Sequence, residues 1–193
     1  MSLKISCELN KIYVLGSKGV GKTTLCTQLI GEKDFFTRSV VGIQTFKLID
    51  SGYILYFKDL TDTSDFTYTK ILEKEINEIK AIILIFSYDS KDSFINMKLL
   101  YDYIIDIKSF AAIPILIIGN KYDLAENTKL DDFSLDKLIK NDNGICFYNT
   151  ILKDGEDIPK IKQFIYNNIS YEDIGKETSQ KSQSSEFNTC IIY

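Results

Sequence analysis

Histidine is absent from the chain, a count of 0 in 193 residues. That excludes Ser–His–Asp and Cys–His nucleophilic catalysis, imidazole general bases and every zinc site with an imidazole ligand. Arginine is nearly absent as well: Arg38 is the only one, and lysine carries the remaining positive charge. The 4 cysteines, Cys7, Cys26, Cys146 and Cys190, are scattered without a CxxC pair, which points to free thiols and away from a metal cage or disulfide frame. No apolar run reaches the length of a membrane span, and no basic-then-apolar signal pattern opens the chain, so a cytosolic protein is expected. A net charge of −4 offers no electrostatic footprint for nucleic acid, and none is expected as a partner. What remains is ordinary globular usage, 45% hydrophobic and 26% charged, in a length suited to one domain.

Short apolar runs alternate with helix-period segments between Asn10 and Ile169. Ile12-Tyr13-Val14-Leu15, Ala81 to Phe86 and Ile115 to Ile118 read as strands buried on both faces of a mostly parallel sheet, with Ile145 to Tyr148 as a last strand. Ile43 to Asp50 and Tyr53 to Asp59, linked by Ser51-Gly52, read as a hairpin. Helical stripes are expected at Ile71, Leu72, Ile76 and Ile79, at Phe94, Met97, Tyr101 and Ile104, and at Ile158, Ile161 and Ile165. Pro159 is tolerated there in the first turn. The alternation predicts a doubly wound α/β domain over residues 10–169, with ligands at the carboxyl ends of its strands. Residues 1–9 form an N-terminal extension, and residues 170–193 are too polar and aperiodic to fold alone.

Gly16-Ser17-Lys18-Gly19-Val20-Gly21-Lys22-Thr23 follows the first strand and opens a helix carrying Leu25, Cys26 and Leu29. This is GxxxxGK[ST] in its confirming context, a P-loop. Glycines let successive backbone N–H groups converge on a phosphate, and the helix N-terminus adds partial positive charge. Ser17 through Thr24 are the expected phosphate contacts: Lys22 places an ammonium between the β- and γ-phosphates, and the Thr23 hydroxyl ligates Mg²⁺. A P-loop alone leaves GTPases, ATPases and kinases open. Asn120-Lys121-Tyr122-Asp123 directly follows the strand Ile115–Gly119, where a base would lie. A carboxylate at Asp123 can accept both the N1–H and the N2 amino protons of guanine, whereas adenine has no N1–H to offer.

With the segment Tyr88-Asp89-Ser90-Lys91-Asp92-Ser93-Phe94, these motifs resemble the small GTPases of the Ras superfamily, nearest the Ras and Rab branches, from about Asn10 to Ile169. The resemblance implies a P-loop NTPase G domain: a mostly parallel six-stranded sheet flanked by five helices, Mg²⁺ with GTP or GDP, and two switch segments ordering around the γ-phosphate. It also implies an exchange factor and effectors as partners. It gives Lys121 a stem packed on the base, and it makes Ile151, Leu152 and Lys153 a third guanine contact, through a backbone amide reaching O6.

The switches depart from that pattern. Val40 stands at the position of the metal-ligating threonine and has no oxygen to offer; Ser39 or Thr37 would need a shifted register. In Asp59-Leu60-Thr61-Asp62-Thr63, Asp59 can still support Mg²⁺. Asp62 replaces the glycine that meets the γ-phosphate, and Thr63 replaces the glutamine that orients the catalytic water, so hydrolysis is expected to be slow or atypical. Lys18 can either crowd that water, supply charge to the phosphates or stay solvated. Arg38 does not match the spacing of a built-in arginine finger.

Cys190-Ile191-Ile192-Tyr193 has the CaaX form, which makes Cys190 a prenylation candidate. The expected protein is a monomeric small GTPase switch in signalling or vesicle traffic, held peripherally on the cytoplasmic face of a membrane by one lipid. A pseudo-GTPase that holds nucleotide without hydrolysing or switching is the alternative. A P-loop kinase is disfavoured by Asn120–Asp123.

Overall fold

The structure is a computed structural model that describes residues 10–31, 37–40, 43–50, 53–60, 67–75, 78–106, 113–127 and 145–168. The expected N-terminal extension, the polar tail with Cys190, and Asp62 and Thr63 of the second switch lie outside them. Among the described residues seven strands form one sheet: β1 (Asn10–Leu15), β2 (Thr37–Val40), β3 (Ile43–Asp50), β4 (Tyr53–Leu60), β5 (Ile79–Ser87), β6 (Ile115–Asn120) and β7 (Ile145–Asn149). Their order is β2-β3-β4-β1-β5-β6-β7, with β4, β1, β5, β6 and β7 mutually parallel. The expected hairpin is present, Ile43 to Leu60 and Asp50 to Tyr53 closing an antiparallel ladder.

The sheet has one strand more than the six implied. Thr37 to Val40 pairs antiparallel with β3, Val40 opposite Ile43, and extends the sheet at its edge. Four α-helices fall among the described residues: α1 (Lys22–Ile30), α2 (Thr67–Glu75), α3 (Lys91–Asp106) and α4 (Ile158–Asn168). Two short 3₁₀ segments, Tyr122–Asn127 and Leu152–Asp154, follow β6 and β7.

Alternation along the strands builds two cores. Ile12 and Val14 of β1, with Ile83 and Ile85 of β5, pack with Leu25 and Leu29 of α1 and Ile161 and Ile165 of α4. Tyr13 and Leu15 face the other way with Ile82 and Leu84, into the core that holds Leu72 of α2 and Met97 and Ile104 of α3. β5 is therefore buried without a break from Ala81 to Ser87, as a strand covered on both faces must be. Pro159 is the second residue of α4, as expected. One helical expectation fails: Ile79 opens β5 instead of completing the α2 stripe, and Ile76 lies outside the described residues. An isoleucine-rich segment such as Ile79 to Ile85 gains more from pairing with β1 than from prolonging a helix.

Tyr13 is fully buried, and its hydroxyl bonds Glu75 Oε2. Burial first, then that carboxylate, pushes its pKa up. Lys11 Nζ meets the same carboxylate at 2.8 Å and also Glu78, so a small polar knot joins β1 to the end of α2. Burial alone would lower the Lys11 pKa, but the two carboxylates outweigh it and raise it. Cys26 and Cys146 are free thiols, in agreement with the scattered spacing.

Packing sets the first test. Ile104 is 0% exposed in the α3 core, whereas Leu99 on the same helix is 54% exposed. Ile104→Ala should cost about 2–5 kcal/mol in urea unfolding. Leu99→Ala should stay within about 0.5 kcal/mol of the parent.

Candidate nucleotide-binding site

The loop from Gly16 to Gly21 leaves β1 at its carboxyl end and delivers the chain into α1 at Lys22. Gly21 caps the helix with φ 111°. A side chain there would be strained, and its Cβ would run into the Asn120 amide, so the sharp entry into α1 needs glycine. Lys18, Gly19, Gly21, Lys22, Thr23, Thr24 and Asp59 line an open cleft of about 510 Å³. Lys22 is 5% exposed and lies along the loop, its Nζ donating to Gly16 O and Ser17 O at 2.9 Å each. Val20 is different from its neighbours: its side chain is core, and only its backbone serves the loop.

Thr23 Oγ1 donates to Asp59 Oδ2 at 2.5 Å. Asp59 is 0% exposed, and its other oxygen, Oδ1, is buried without a hydrogen-bond partner. An orphaned carboxylate oxygen beside a hydroxyl, at the wall of a phosphate-sized cleft, is the donor chemistry a hard divalent cation takes. Among the described residues no group of three or more His, Cys, Asp or Glu side chains could hold a metal alone. Mg²⁺ binds through one or two protein oxygens together with phosphates and waters, and Thr23 and Asp59 are the two oxygen donors that would hold it here.

Asn120 joins the base-reading turn to the phosphate loop. Its Nδ2 donates to Val20 O at 2.7 Å, and its Oδ1 accepts from the Leu152 N–H at 3.0 Å, both bonds buried. One amide thus ties the phosphate loop, the end of β6 and the turn after β7. The Leu152 N–H, one backbone amide of the turn expected to reach guanine O6, is already bonded to this side-chain amide, so an O6 contact there would be shared; the Leu152 side chain is core. Asp123 accepts from Lys153 Nζ at 3.4 Å, which draws two of the expected base contacts together. Ile151, the third expected residue of that turn, precedes the 3₁₀ segment and is half-buried. Lys121 has φ 58°, an uncommon left-handed value for a residue with a side chain. Its Nζ pairs with Asp89 Oδ2 at 2.6 Å.

The structure therefore assembles Ser17–Thr24, Asp59, Asn120, Lys121, Asp123 and Leu152–Lys153 at one end of the sheet. Thr63, expected as catalytic, lies outside the described residues. Val40, Ser39 and Thr37 lie in β2, whose described backbone is paired to β3. Sequence reasoning missed several supporting groups. Asn96 of α3 donates to Ser17 Oγ at 3.2 Å, and Gln28 of α1 donates to Lys153 O at 3.4 Å. Gly119 lets Tyr88 cross β6: a Cβ there would stand 2.7 Å from the Tyr88 ring and 2.9 Å from Asn149 Oδ1. None has a motif that announces it.

A strand–loop–helix phosphate cradle and a base-reading turn on a doubly wound sheet define a P-loop nucleotide-binding protein. A model of the Ras family matches residues 11–171, and the chain belongs to the Ras family of small GTPases. It is similar to the GTP-binding protein Rheb homolog of Dictyostelium discoideum, at 28% identity over 176 residues covering 89% of this chain and 93% of that protein. It is also similar to the GTP-binding protein Di-Ras2 of Mus musculus, at 24% identity, with 94% of this chain and 96% of that protein covered.

Asn120→Ala tests the joint. It strands the Val20 carbonyl and the Leu152 N–H in buried surroundings, at about 1–3 kcal/mol each. Denaturant unfolding should show a loss of about 2–6 kcal/mol with an unchanged denaturant slope.

Proposed function

We propose that the chain is a guanine-nucleotide switch that binds GTP and GDP with Mg²⁺ and hydrolyses GTP slowly. The observation that carries the guanine reading is the 2.7 Å bond from Asn120 to Val20 O, which seats Asp123's turn directly against the phosphate loop. From that position the Asp123 carboxylate accepts guanine's N1–H and N2 protons. Lys22 supplies a point charge to the β- and γ-phosphates, and α1 adds its positive end. The fit of Thr23 and Asp59 supports Mg²⁺ as the ion they hold; when bound, it neutralises charge on the phosphate oxygens. Both relatives bear "GTP-binding" in their names, which supports the same ligand here.

Slow hydrolysis follows from residue chemistry. Thr63 is shorter than glutamine and lacks its paired donor and acceptor, while Asp62 puts an anion where an N–H should face the γ-phosphate. A pseudo-GTPase is the second reading, favoured by Val40, whose side-chain type brings no oxygen and whose backbone in β2 is paired to Ile43 of β3. We place the protein, as a monomer, peripherally at the cytoplasmic face of a membrane through a prenyl group on Cys190. The tail holds no second cysteine near it and no polybasic patch, so the anchor is weak and reversible. An exchange factor and effectors would be its protein partners.

The purified chain should carry a guanine nucleotide, and Asp123→Asn should exchange that preference for xanthine nucleotide, whose C2 oxygen needs a donor. Single-turnover hydrolysis should run at or below about 10⁻⁴ s⁻¹. The double change Asp62→Gly, Thr63→Gln should accelerate it. Undetectable hydrolysis in both forms, with GTP and GDP bound equally, would select the pseudo-GTPase. Cys190→Ser should move the protein wholly into the soluble fraction of its own cells.

A further inference from the structure

The base-reading turn is gripped by the two residues that follow β5. Tyr88 is buried, and its N–H donates to Asn120 O at 2.9 Å. Its hydroxyl donates to Asn149 Oδ1 at 2.6 Å, and its ring meets Tyr122 edge-on at 5.3 Å. This frame holds the turn's backbone. Asp89 acts on a side chain instead. Its Oδ2 takes the Lys121 ammonium at 2.6 Å, and its Oδ1 accepts the Ser87 hydroxyl at 2.5 Å. Both carboxylate oxygens are thereby engaged, which fixes the orientation of the carboxylate and, through it, of a four-carbon stem that would otherwise sample many rotamers.

We infer that Asp89 is a positioning residue for nucleotide retention: it holds Lys121 extended alongside the base position, so that nucleotide binds a lysine already ordered. The inference deepens the guanine-nucleotide reading above and rests on it. The pair is one-third exposed, 34% for Lys121 and 38% for Asp89, so its direct Coulomb contribution to stability is screened. Its effect lies in pre-organisation. Ordering one long side chain at the moment of binding weakens a complex by about three- to tenfold. The Lys121 hydrogen bond, then that of Ser87, also lowers the Asp89 pKa.

The test measures dissociation of fluorescent GDP from the full chain with Mg²⁺ present, in five forms: unaltered, Asp89→Asn, Asp89→Glu, Lys121→Met and the double variant of Asp89→Asn with Lys121→Met. Retention of GDP by the unaltered chain establishes the underlying reading; its failure removes that reading before the question of Asp89 arises. Asp89→Asn alone should release GDP about three- to tenfold faster. In the Lys121→Met background the same change should add nothing, because the group through which Asp89 acts is gone. Asp89→Glu should restore part of the retention, which a purely structural role at an exposed site would not show. Should Asp89→Asn fold poorly, raising ionic strength must accelerate GDP release from the unaltered chain more than from Lys121→Met. Equal acceleration in both backgrounds would show that Asp89 acts by another route and overturn the inference. Unchanged or slower release would overturn it too, the latter by showing that Asp89 competes with nucleotide for the lysine.

Discussion

A buried side-chain amide has to satisfy both ends of its dipole, and in this protein the site is organised around that requirement at Asn120. Its nitrogen reaches the Val20 carbonyl, and its oxygen reaches the Leu152 N–H. Three loops that are far apart in the chain are drawn to one point. The surroundings depend on this in turn: Gly21 must lack a Cβ because the amide occupies that space, and Gly119 must lack one because Tyr88 crosses beside it. The sheet contributes the direction. Parallel β1, β5, β6 and β7 send all their carboxyl ends the same way, so the phosphate loop and the base-reading turn emerge at one edge.

Electrostatics at the other end of the cleft complement this joint. A fully buried carboxylate with one unpartnered oxygen is costly, and Asp59 is such a group. Thr23 offsets part of that cost through its hydroxyl. Lys18 and Lys22 line the same cleft as Asp59. A ligand that brings both phosphate oxygens and a divalent cation answers both halves of this arrangement. Binding and local stability are therefore coupled in the same few residues.

Much of this was legible in the sequence, for reasons that differ by element. β1, β5 and β6 announce themselves because strands covered on both faces must be continuously apolar, and Ile115 to Ile118 can be little else. The phosphate loop and Asn120–Asp123 were legible because their chemistry fixes residue types at fixed spacing. β2 was not: Thr37 to Val40 has one aliphatic residue in four, and the Val41-Gly42 that separates it from its partner is none of the usual hairpin dipeptides. Ile79 was misplaced because periodicity over a short run fits a helix and a buried strand alike. The contacts of Asn96, Gln28 and Tyr88 were invisible for another reason. Their partners Ser17, Lys153 and Asn149 sit 79, 125 and 61 positions away, and only the topology brings them together.

The central claim is that one site, joined through Asn120, reads guanine at one end and holds magnesium-bound phosphates at the other. The measurement that bears on it most directly is competition of unlabelled GDP, GTP and ATP against a fluorescent guanine nucleotide on the unaltered chain with Mg²⁺ present. A polar site built to hydrogen-bond one base rejects a base lacking those groups by about 10⁴-fold. The account predicts displacement by GDP and GTP at near-stoichiometric concentrations and none by ATP at a thousandfold excess. Displacement by ATP at concentrations comparable to GDP would contradict it.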